Sequence, residues 1–387
     1  MSEIPPRRRL GRRPTQSVRV RERLLEMIAG GLLKPGQALP TEMSLAAAFN
    51  ASQPTVNREI KRMLADGILA CGSDGGRIVA QRRGGLLART VLVCTTLADL
   101  ETTRRAALDA WEVNLELETE RRLVELGYLS WRAPIRRFSE REIDLLAGDV
   151  PCGAVIFADG MDPALAQTMR AAFASAQVGM VVHGSPEDHP GLDVVTSDHE
   201  AGGATAASWL AARGCRRLVV QQDHSPAPLP GWLRARLAGN RRGAVEGGLA
   251  EPASLLQPPE IRGSLGERRL FDAEVLLMTE AIRPHLSGPL PLGILALSDG
   301  DVPRTWAAVR RLGLEPGRDI LLAGYDGYWS DLLERKWEPT PPSVTVDKRH
   351  AVLGQQLAHT LDRRLREDVH APPRHVLVAP VLRTDWT

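Results

Sequence analysis

Residues 40–69 hold the pattern that most constrains the fold, two short helices joined by a tight polar turn. The sequence predicts a first helix over 41–49, a break at 50–52 and a second helix over 54–66 that Gly67 stops. A helix-turn-helix has this form, and its second helix enters the major groove of DNA. Taken alone, the stretch also fits two ordinary amphipathic helices with polar outer faces, so the flanking sequence has to decide.

The flanking sequence favours a winged helix. A helix is predicted over 17–29, with Ser17 as its N-cap, and residues 68–80 predict a hairpin with a glycine-rich tip. Residues 1–90 carry 16 Lys and Arg against 7 Asp and Glu, a net charge of +9, whereas the rest of the chain carries −7. A basic head on an acidic body suits a polyanion that is bound at one end.

The outer face of the second helix and its surroundings supply the candidate DNA contacts. Amide and guanidinium groups pair with base edges, while hydroxyls near a helix N-terminus suit phosphates. The candidates on the helices and the wing are Thr41, Ser52, Gln53, Thr55, Asn57, Arg58, Lys61, Arg62, Gly75 and Arg77.

Residues 17–81 resemble the GntR-type DNA-binding domain over its full length. The matching landmarks are Lys34-Pro35-Gly36, Leu39-Pro40-Thr41-Glu42, Leu45-Ala46, Ser52, Thr55-Val56, Leu64, Asp66-Gly67 and the wing glycines. This chain has Met43, Gln53 and Asn57 where that family usually has arginines. The resemblance therefore implies the fold and DNA binding, but not the family's operator sequence.

A β/α alternation follows a basic linker at 82–89. Strands are predicted at 90–94, 154–157, 178–182, 217–220, 293–297 and 320–324, and helices at 115–126, 163–174, 201–212, 236–247, 272–282 and 303–312. This order predicts an α/β fold with parallel sheets and helices on both faces. About 300 residues suit two such sheets.

Residues 90–387 resemble the periplasmic-binding-protein-like effector domain of LacI/GalR-type repressors. The anchors are 125–128, 195–202 with 209–218, 236–239, 296–299, 312–314 with 319–326, and 343–346, whereas 221–235 and 248–266 fit poorly and are expected to be variable loops. The resemblance implies two lobes that close on a small ligand, with chain crossings near 195–198, 325–326 and 344–346. Domains are thus expected at 1–16 (a disordered basic arm), 17–81 (winged helix), 82–89 (linker) and 90–387 (effector binding and dimerisation).

The same resemblance implies the effector contacts. Arg236 matches the arginine that holds the effector, and Asp299 the aspartate that accepts sugar hydroxyls; either could instead form a structural ion pair. Weaker candidates are Asp198, Trp329 and Trp111, of which Trp111 could stack on a sugar or belong to the core. His183 stands where the family often has an aspartate.

Several classes of protein are disfavoured by the sequence. No apolar stretch reaches 18 residues, so no membrane span is expected. Four scattered cysteines are expected to be buried thiols in a reducing cytoplasm. Nucleophile-elbow, P-loop, dinucleotide-binding and zinc-protease motifs are lacking, and no cofactor, metal or enzymatic activity is expected.

The sequence therefore predicts a regulator, most simply a repressor, that binds double-stranded operator DNA as a homodimer under the control of a small sugar-like effector. A GntR-type head on a LacI-type body is similar to arabinose-responsive repressors, which makes a pentose the first guess. The alternatives are a constitutive repressor without a working pocket and a sugar-processing α/β enzyme. The basic arm could contact phosphates or the minor groove, or serve only solubility.

Overall fold

The computed structural model describes residues 16–29, 32–33, 37–65, 68–71, 76–79, 89–95, 110–134, 143, 152–158, 163–175, 178–222, 229–256, 267–366 and 371–386. The chain folds as two units, Met1–Thr90 with Val150–Cys152, and Val91–Asp149 with Gly153–Thr387. Almost all of the expected arm and linker, the tip of the wing and the turn at 34–36 lie outside the described residues.

The N-terminal unit is a winged helix. Its elements are α1 (Gln16–Ala29), α2 (Glu42–Phe49), α3 (Gln53–Ala65), β1 (Leu69–Cys71) and β2 (Arg77–Val79). The two strands pair antiparallel, and Ala38 bridges to Ile78 beside them. The apolar faces of the three helices and β1 share one core, formed chiefly by Val20, Leu24, Leu45, Val56, Ile60, Met63, Ile68 and Leu69. The predicted helix-turn-helix and hairpin are thereby confirmed.

Two expectations about this unit are wrong. Ser17 does not cap α1, because the helix already includes Gln16 before it. The next helix does have a side-chain cap, since the Thr41 hydroxyl accepts the backbone N–H of Ser44. Cys71 is exposed at the end of β1, whereas the other three cysteines are buried as expected; all four are free thiols.

The second unit contains the remaining strands and helices. The strands are β3 (Thr90–Thr95), β4 (Leu129–Pro134), β5 (Gly153–Phe157), β6 (Gly179–His183), β7 (Asp193–Ser197), β8 (Arg217–Gln222), β9 (Ala253–Leu256), β10 (Leu292–Leu295), β11 (Ile320–Asp326), β12 (Val344–Asp347), β13 (His375–Val378) and β14 (Val381–Arg383). The helices are α4 (Ala110–Glu125), α5 (Pro163–Ser175), α6 (His199–Ala212), α7 (Gly231–Glu246), α8 (Glu267–Ile282), α9 (Val302–Arg311) and α10 (His350–Arg366).

These strands form two six-stranded sheets, each the centre of one lobe. The first has the order β13-β7-β6-β5-β3-β4 and the second β14-β12-β11-β10-β8-β9. The recorded pairs are parallel except for β12 with β14. In the second sheet, Val219, Ile294 and Leu322 pack against α8 and α9, while the alternate residues Val220 and Leu321 pack against α6 and α7. The predicted layers of helices on both faces are confirmed there.

Within the described residues, the chain crosses between the lobes three times. It leaves the first sheet between β7 and α6, at Asp198, as expected. It returns between β12 and α10, at residues 348–349, and crosses last between β13 and β14, at residues 379–380. The expectation of a crossing at 325–326 is wrong, since β11 and β12 are neighbours in the second sheet.

The first turns of two helices were under-predicted. α6 begins at His199, after the Asp198 cap, and α7 begins at Gly231, inside the stretch expected to be a loop. The two helices pack backbone to backbone through glycines. A Cβ added at Gly239 would lie 2.0 Å from the carbonyl oxygen of Glu200, so only glycine permits this approach. The contact places the first turns of α7, and Arg236 with them, beside the lobe crossing at Asp198.

Candidate functional site

The winged helix presents an open groove along α3. It has a volume of about 530 Å³, and its lining combines amide, cationic and carboxylate groups from Glu42, Gln53, Pro54, Asn57, Arg58 and Lys61. Arg58 and Asn57 share this groove, although successive residues lie about 100° apart around a helix axis. Four of the ten predicted DNA-binding residues, Gln53, Asn57, Arg58 and Lys61, are therefore brought together on one surface.

Hydroxyl groups surround the N-terminal ends of both helices. The Ser52 and Thr55 side-chain oxygens lie 2.8 Å apart, as do those of Thr41 and Ser44. All four hydroxyls have exposed hydrogen bonds, and the N-terminal end of α3 adds backbone N–H groups to them. The arrangement can bind phosphate oxygens in the way expected for Ser52 and Thr55.

The other three predicted contacts differ in their placement. Arg62 pairs with the buried Glu59 carboxylate at 3.3 Å, and Arg21 of α1 pairs with the same carboxylate at 3.3 Å. Arg62 is therefore tied to the core of the unit, a role the sequence analysis missed because Glu59 was not recognised as buried. Arg77 lies on β2 and donates to Cys71 Sγ, while Gly75 lies outside the described residues.

Asn57 is held by a carboxylate that the sequence analysis did not consider. Its Nδ2 donates to Glu42 Oε1 at 2.7 Å and to Oε2 at 2.9 Å. Glu42 is the first residue of α2, where the positive end of the helix dipole favours a carboxylate. These two hydrogen bonds fix the orientation of the Asn57 amide on the recognition face.

In the second unit, Arg236 lies between two aromatic rings. Its guanidinium carbon is 3.5 Å from the centroid of Tyr325 and 4.7 Å from that of Trp232, one turn earlier on α7. Nη1 donates to the Leu297 carbonyl at 2.6 Å, and Nη2 lies 3.3 Å from His199 Nδ1. Its Nε is buried and has no hydrogen-bond partner among the described residues.

His199 is a neutral acceptor for Arg236. Burial lowers the pKa of this histidine well below its usual value, and the positive charges of Arg236 and Lys348 lower it further. Its ring also stacks near Tyr325, with centroids 6.0 Å apart and an interplanar angle of 17°. The cluster is thus an aromatic and cationic wall at the start of α6 and α7.

Asp326 supplies the negative charge of this cluster. Its carboxylate lies 2.9 Å from Lys348 Nζ and 3.7 Å from Arg236 Nη2. Burial acts to raise the pKa of Asp326, but the two cations outweigh it and hold the pKa below the usual range. The residue has φ of 89°, a costly backbone for a side chain other than glycine, and such strain concentrates at functional sites.

Asp299 is fully buried, with both oxygens bonded to the protein. Oδ2 accepts the backbone N–H groups of Tyr328 and Trp329 at 2.8 and 3.1 Å, and Oδ1 accepts the Thr345 hydroxyl at 2.6 Å. Burial raises the pKa of this carboxyl to about 7, against the lowering effect of its hydrogen bonds. The group fixes the segment after β11 to the ends of β10 and β12.

The weaker candidates are placed separately. Asp198 caps α6 by accepting the Ala201 N–H at 2.9 Å. Trp329 is buried in the core of the second lobe, edge-on to Trp386, and Arg335 lies over its face. Trp111 belongs to α4, but its side chain lies outside the described residues. His183 is buried in the first lobe with Nδ1 3.0 Å from the Val195 carbonyl.

A hydrogen bond also joins the two lobes at the N-terminal end of α7. Asp188, in a short 3-10 helix after β6, accepts the backbone N–H of Gly231 at 2.9 Å, at the N-terminal end of α7. Arg234 donates to the same carboxylate at 3.4 Å. Gly231 is needed there, because an added Cβ would lie 2.5 Å from Ser185 Cβ. The carboxylate therefore joins the two lobes directly.

Two features are lacking from the described part of the chain. No helix within it is both long and apolar enough to cross a membrane. Nor do three or more histidine, cysteine or carboxylate side chains converge there as metal ligands.

One family model matches within each unit. Residues 16–79 match the bacterial regulatory proteins of the gntR family, and residues 207–384 match the periplasmic binding protein-like domain. The chain thus joins a GntR-type DNA-binding domain to a periplasmic-binding-protein-like domain, as the sequence landmarks implied.

Two curated bacterial proteins are similar to the DNA-binding domain. Over 64 residues, 16% of this chain, it is 38% identical to the probable fructoselysine utilization operon transcriptional repressor of Escherichia coli strain K12. It is also 38% identical over 64 residues, again 16% of this chain, to the mannosyl-D-glycerate transport/metabolism system repressor MngR of that strain. These alignments cover 26% and 27% of the two proteins, so the chain spans about a quarter of the length of the curated relatives it matches.

Solved structures match the two-lobed fold. The complex of the transcriptional regulator CelR with cellobiose covers 89% of this chain and 98% of its own, with a TM-score of 0.58 and 19% identity. A LacI family transcriptional regulator from Enterococcus faecium with bound ribose covers 76% and 96%, with a TM-score of 0.56 and 14% identity. At these identities the likeness establishes the shared fold.

Proposed function

We propose that the protein is a transcription regulator, a repressor, whose operator binding is controlled by a small sugar-like molecule bound between the lobes. The observation that carries the first half is the exposed groove of α3, with amides and cations presented on a gntR-type helix. The names of the two similar repressors and the sugars bound to the two structural neighbours support the second half.

Arg236 is the residue to which we assign effector contact. Sugar hydroxyls are bound by convergent charged hydrogen-bonding groups, and sugar faces pack on aromatic rings. Arg236 supplies the charged group, because its buried Nε faces no described partner, and the half-buried Trp232 beside it supplies an aromatic ring, whereas the Tyr325 ring is covered by the guanidinium. Trp111 is proposed as a contact from the first lobe.

Asp299, Trp329 and Asp198 are proposed as positioning residues. Each has its polar groups or its ring engaged by the protein, Asp299 with three hydrogen bonds, Asp198 as a helix cap and Trp329 within the core. Through Asp299 the segment that carries Asp326 is held in place. Loss of these residues would therefore act on the effector indirectly.

A homodimer is proposed because a two-fold protein matches a two-fold operator. Exposed apolar side chains lie on one edge strand of each sheet and on the helix next to that strand, β4 with α4 in the first lobe and β9 with α8 in the second. They are Leu117, Val124, Leu129 and Trp131 in the first lobe, and Leu256, Leu276 and Leu277 in the second. Light scattering after size exclusion should give twice the mass of one chain for the wild type. The double variant Val124→Glu with Trp131→Glu should give the mass of a single chain. A wild-type monomer at micromolar concentration would contradict this assignment.

Thermal unfolding with a panel of pentoses, hexoses, disaccharides and sugar phosphates tests the effector assignment. A ligand at 100 times its Kd stabilises the folded protein by about 2.7 kcal/mol. At least one sugar should raise the melting temperature of the wild type and leave that of Arg236→Ala unchanged. If none does, the constitutive alternative replaces the sugar-controlled one.

A further inference from the structure

Glu42 places a negative charge, hydrogen-bonded to Asn57, on a DNA-binding face whose other charges are positive. Both residues line the α3 groove together with the cations Arg58 and Lys61. A carboxylate on a surface that binds a polyanion is repelled by phosphates, so it needs another partner. Among the described residues, no side-chain nitrogen of Arg58 or Lys61 lies within 4 Å of a Glu42 carboxylate oxygen. The Glu42 carboxylate instead accepts two hydrogen bonds from Asn57.

The geometry points to Glu42 and Asn57 as a base-reading pair that accepts a hydrogen bond from the exocyclic amino group of cytosine or adenine in each operator half-site. This inference rests on the proposed DNA-binding function. It names Glu42 as a determinant of specificity and Asn57 as its orienting partner.

The hydrogen-bonding capacity of the pair supports this assignment. An ionised carboxylate only accepts, and its two oxygens have about four lone-pair positions. The Asn57 amide occupies one side of the carboxylate at 2.7 and 2.9 Å, which leaves acceptor positions on the groove side. The reversed amide would place Oδ1 against a carboxylate, so Nδ2 faces Glu42.

The major groove offers matching donors. Cytosine presents its N4 amino group and adenine its N6 amino group, whereas guanine and thymine present O6, N7 and O4 acceptors in the corresponding region. Acceptors facing a carboxylate repel it. The pair therefore selects for C or A and against G or T, and discrimination of this kind amounts to about tenfold in affinity for one good contact.

Selection of duplexes from a random library by the full chain, followed by binding measurements on single-base variants, tests the inference. Wild type should prefer C or A at one position in each half-site by about tenfold. Glu42→Ala should lose that preference, because it removes both acceptor oxygens from the groove. Glu42→Asp, which keeps the carboxylate, should keep the preference for C or A at lower affinity.

The control is Glu26→Gln, which removes the same charge from an exposed position on α1. It should leave every base preference unchanged, and circular dichroism checks that each variant is folded. Unchanged preferences in Glu42→Ala, or identical preferences in Glu42→Ala and Glu42→Asp, overturn the base-reading role and leave Glu42 as a support for α3. A wild-type chain that enriches no duplex instead overturns the proposed function, and this inference with it.

Discussion

The guanidinium carbon of Arg236, on α7, lies 3.5 Å from the centre of the ring of Tyr325, on β11, and both elements belong to the second lobe. Tyr325 is the penultimate residue of β11, and the next residue, Asp326, pairs with Lys348 at the second lobe crossing. The residue proposed to touch the effector is thereby linked to a segment where the chain passes between lobes. A ligand that moved Arg236 would act on that segment directly.

Replacing Arg236 by Ala should remove the sugar-dependent rise in melting temperature and leave operator affinity within about twofold of wild type. The buried Asp326 retains Lys348, so we expect a stability loss of only about 2 kcal/mol in denaturant titrations. Arg242→Ala is the matched control, since Arg242 is half-exposed on the same helix and pairs with Glu200. Loss of operator binding in Arg236→Ala would make the residue structural.

The carboxyl of Asp299 should make stability depend on pH. Its pKa is raised to about 7 in the folded protein from about 4 in the unfolded chain, so the folded state holds the proton more tightly. Its stabilising contribution is full below pH 4 and is lost as pH rises toward 7, at about 1.4 kcal/mol per pH unit. Urea titrations of wild type and Asp299→Asn from pH 4 to 8 should therefore converge or cross as pH rises, and parallel curves would exclude the shift.

The contact between Asp188 and the N-terminal end of α7 should stabilise the closed arrangement of the lobes. Asp188→Ala removes the carboxylate that accepts the Gly231 N–H, while Arg234 keeps its ion pair with Glu187 at 3.6 Å. We expect effector affinity, measured by calorimetry, to fall about fivefold, because closing the lobes then costs more free energy. Glu251→Ala breaks an exposed pair with Arg241 within the second lobe and should leave affinity unchanged. Equal affinity in the two variants would remove Asp188 from lobe closure.

Arg58 and Lys61 should contribute phosphate contacts from the α3 groove. Replacing both by Ala should weaken operator binding and lower the slope of log affinity against log salt by about 2, since each contact contributes about 0.9. Arg19→Ala with Arg23→Ala removes two exposed charges from α1 instead and should change the slope less. Gel shifts between 50 and 200 mM salt measure both, and an unchanged slope for the α3 variant would exclude α3 from the phosphate interface.

The sequence predicted regular elements better than it predicted partners. Periodicity and turn residues located α2, α3 and most central strands to within a few residues, because these depend on local pattern. The first turn of α7 was missed because Gly231 and its neighbours carry no helix signal of their own; in the structure the Gly231 N–H donates to Asp188 of the first lobe. The third crossing was missed because β13 pairs with β7 in the first sheet and β14 pairs with β12 in the second, and both partner strands lie far away in sequence.

Side-chain roles were harder to predict, because they too depend on contacts between residues that are far apart in sequence. The sequence singled out Arg236, but Trp232, one turn before it, was assigned to a loop. Asp299 was singled out as a hydroxyl acceptor, and only the fold revealed its three internal donors. The sequence predicted no side-chain role for Glu42 or Glu59, yet one orients Asn57 and the other is buried and pairs with Arg21 and Arg62.

The most direct test of the account is operator affinity with and without a sugar. An operator duplex selected by the full chain is titrated with wild type and with Arg236→Ala, each in the absence and presence of the sugar that stabilises the protein most. We predict that the sugar weakens wild-type binding about tenfold, within the usual range of coupling between two sites, and leaves Arg236→Ala unchanged. Equal operator affinity of the wild type with and without a bound sugar would contradict the account.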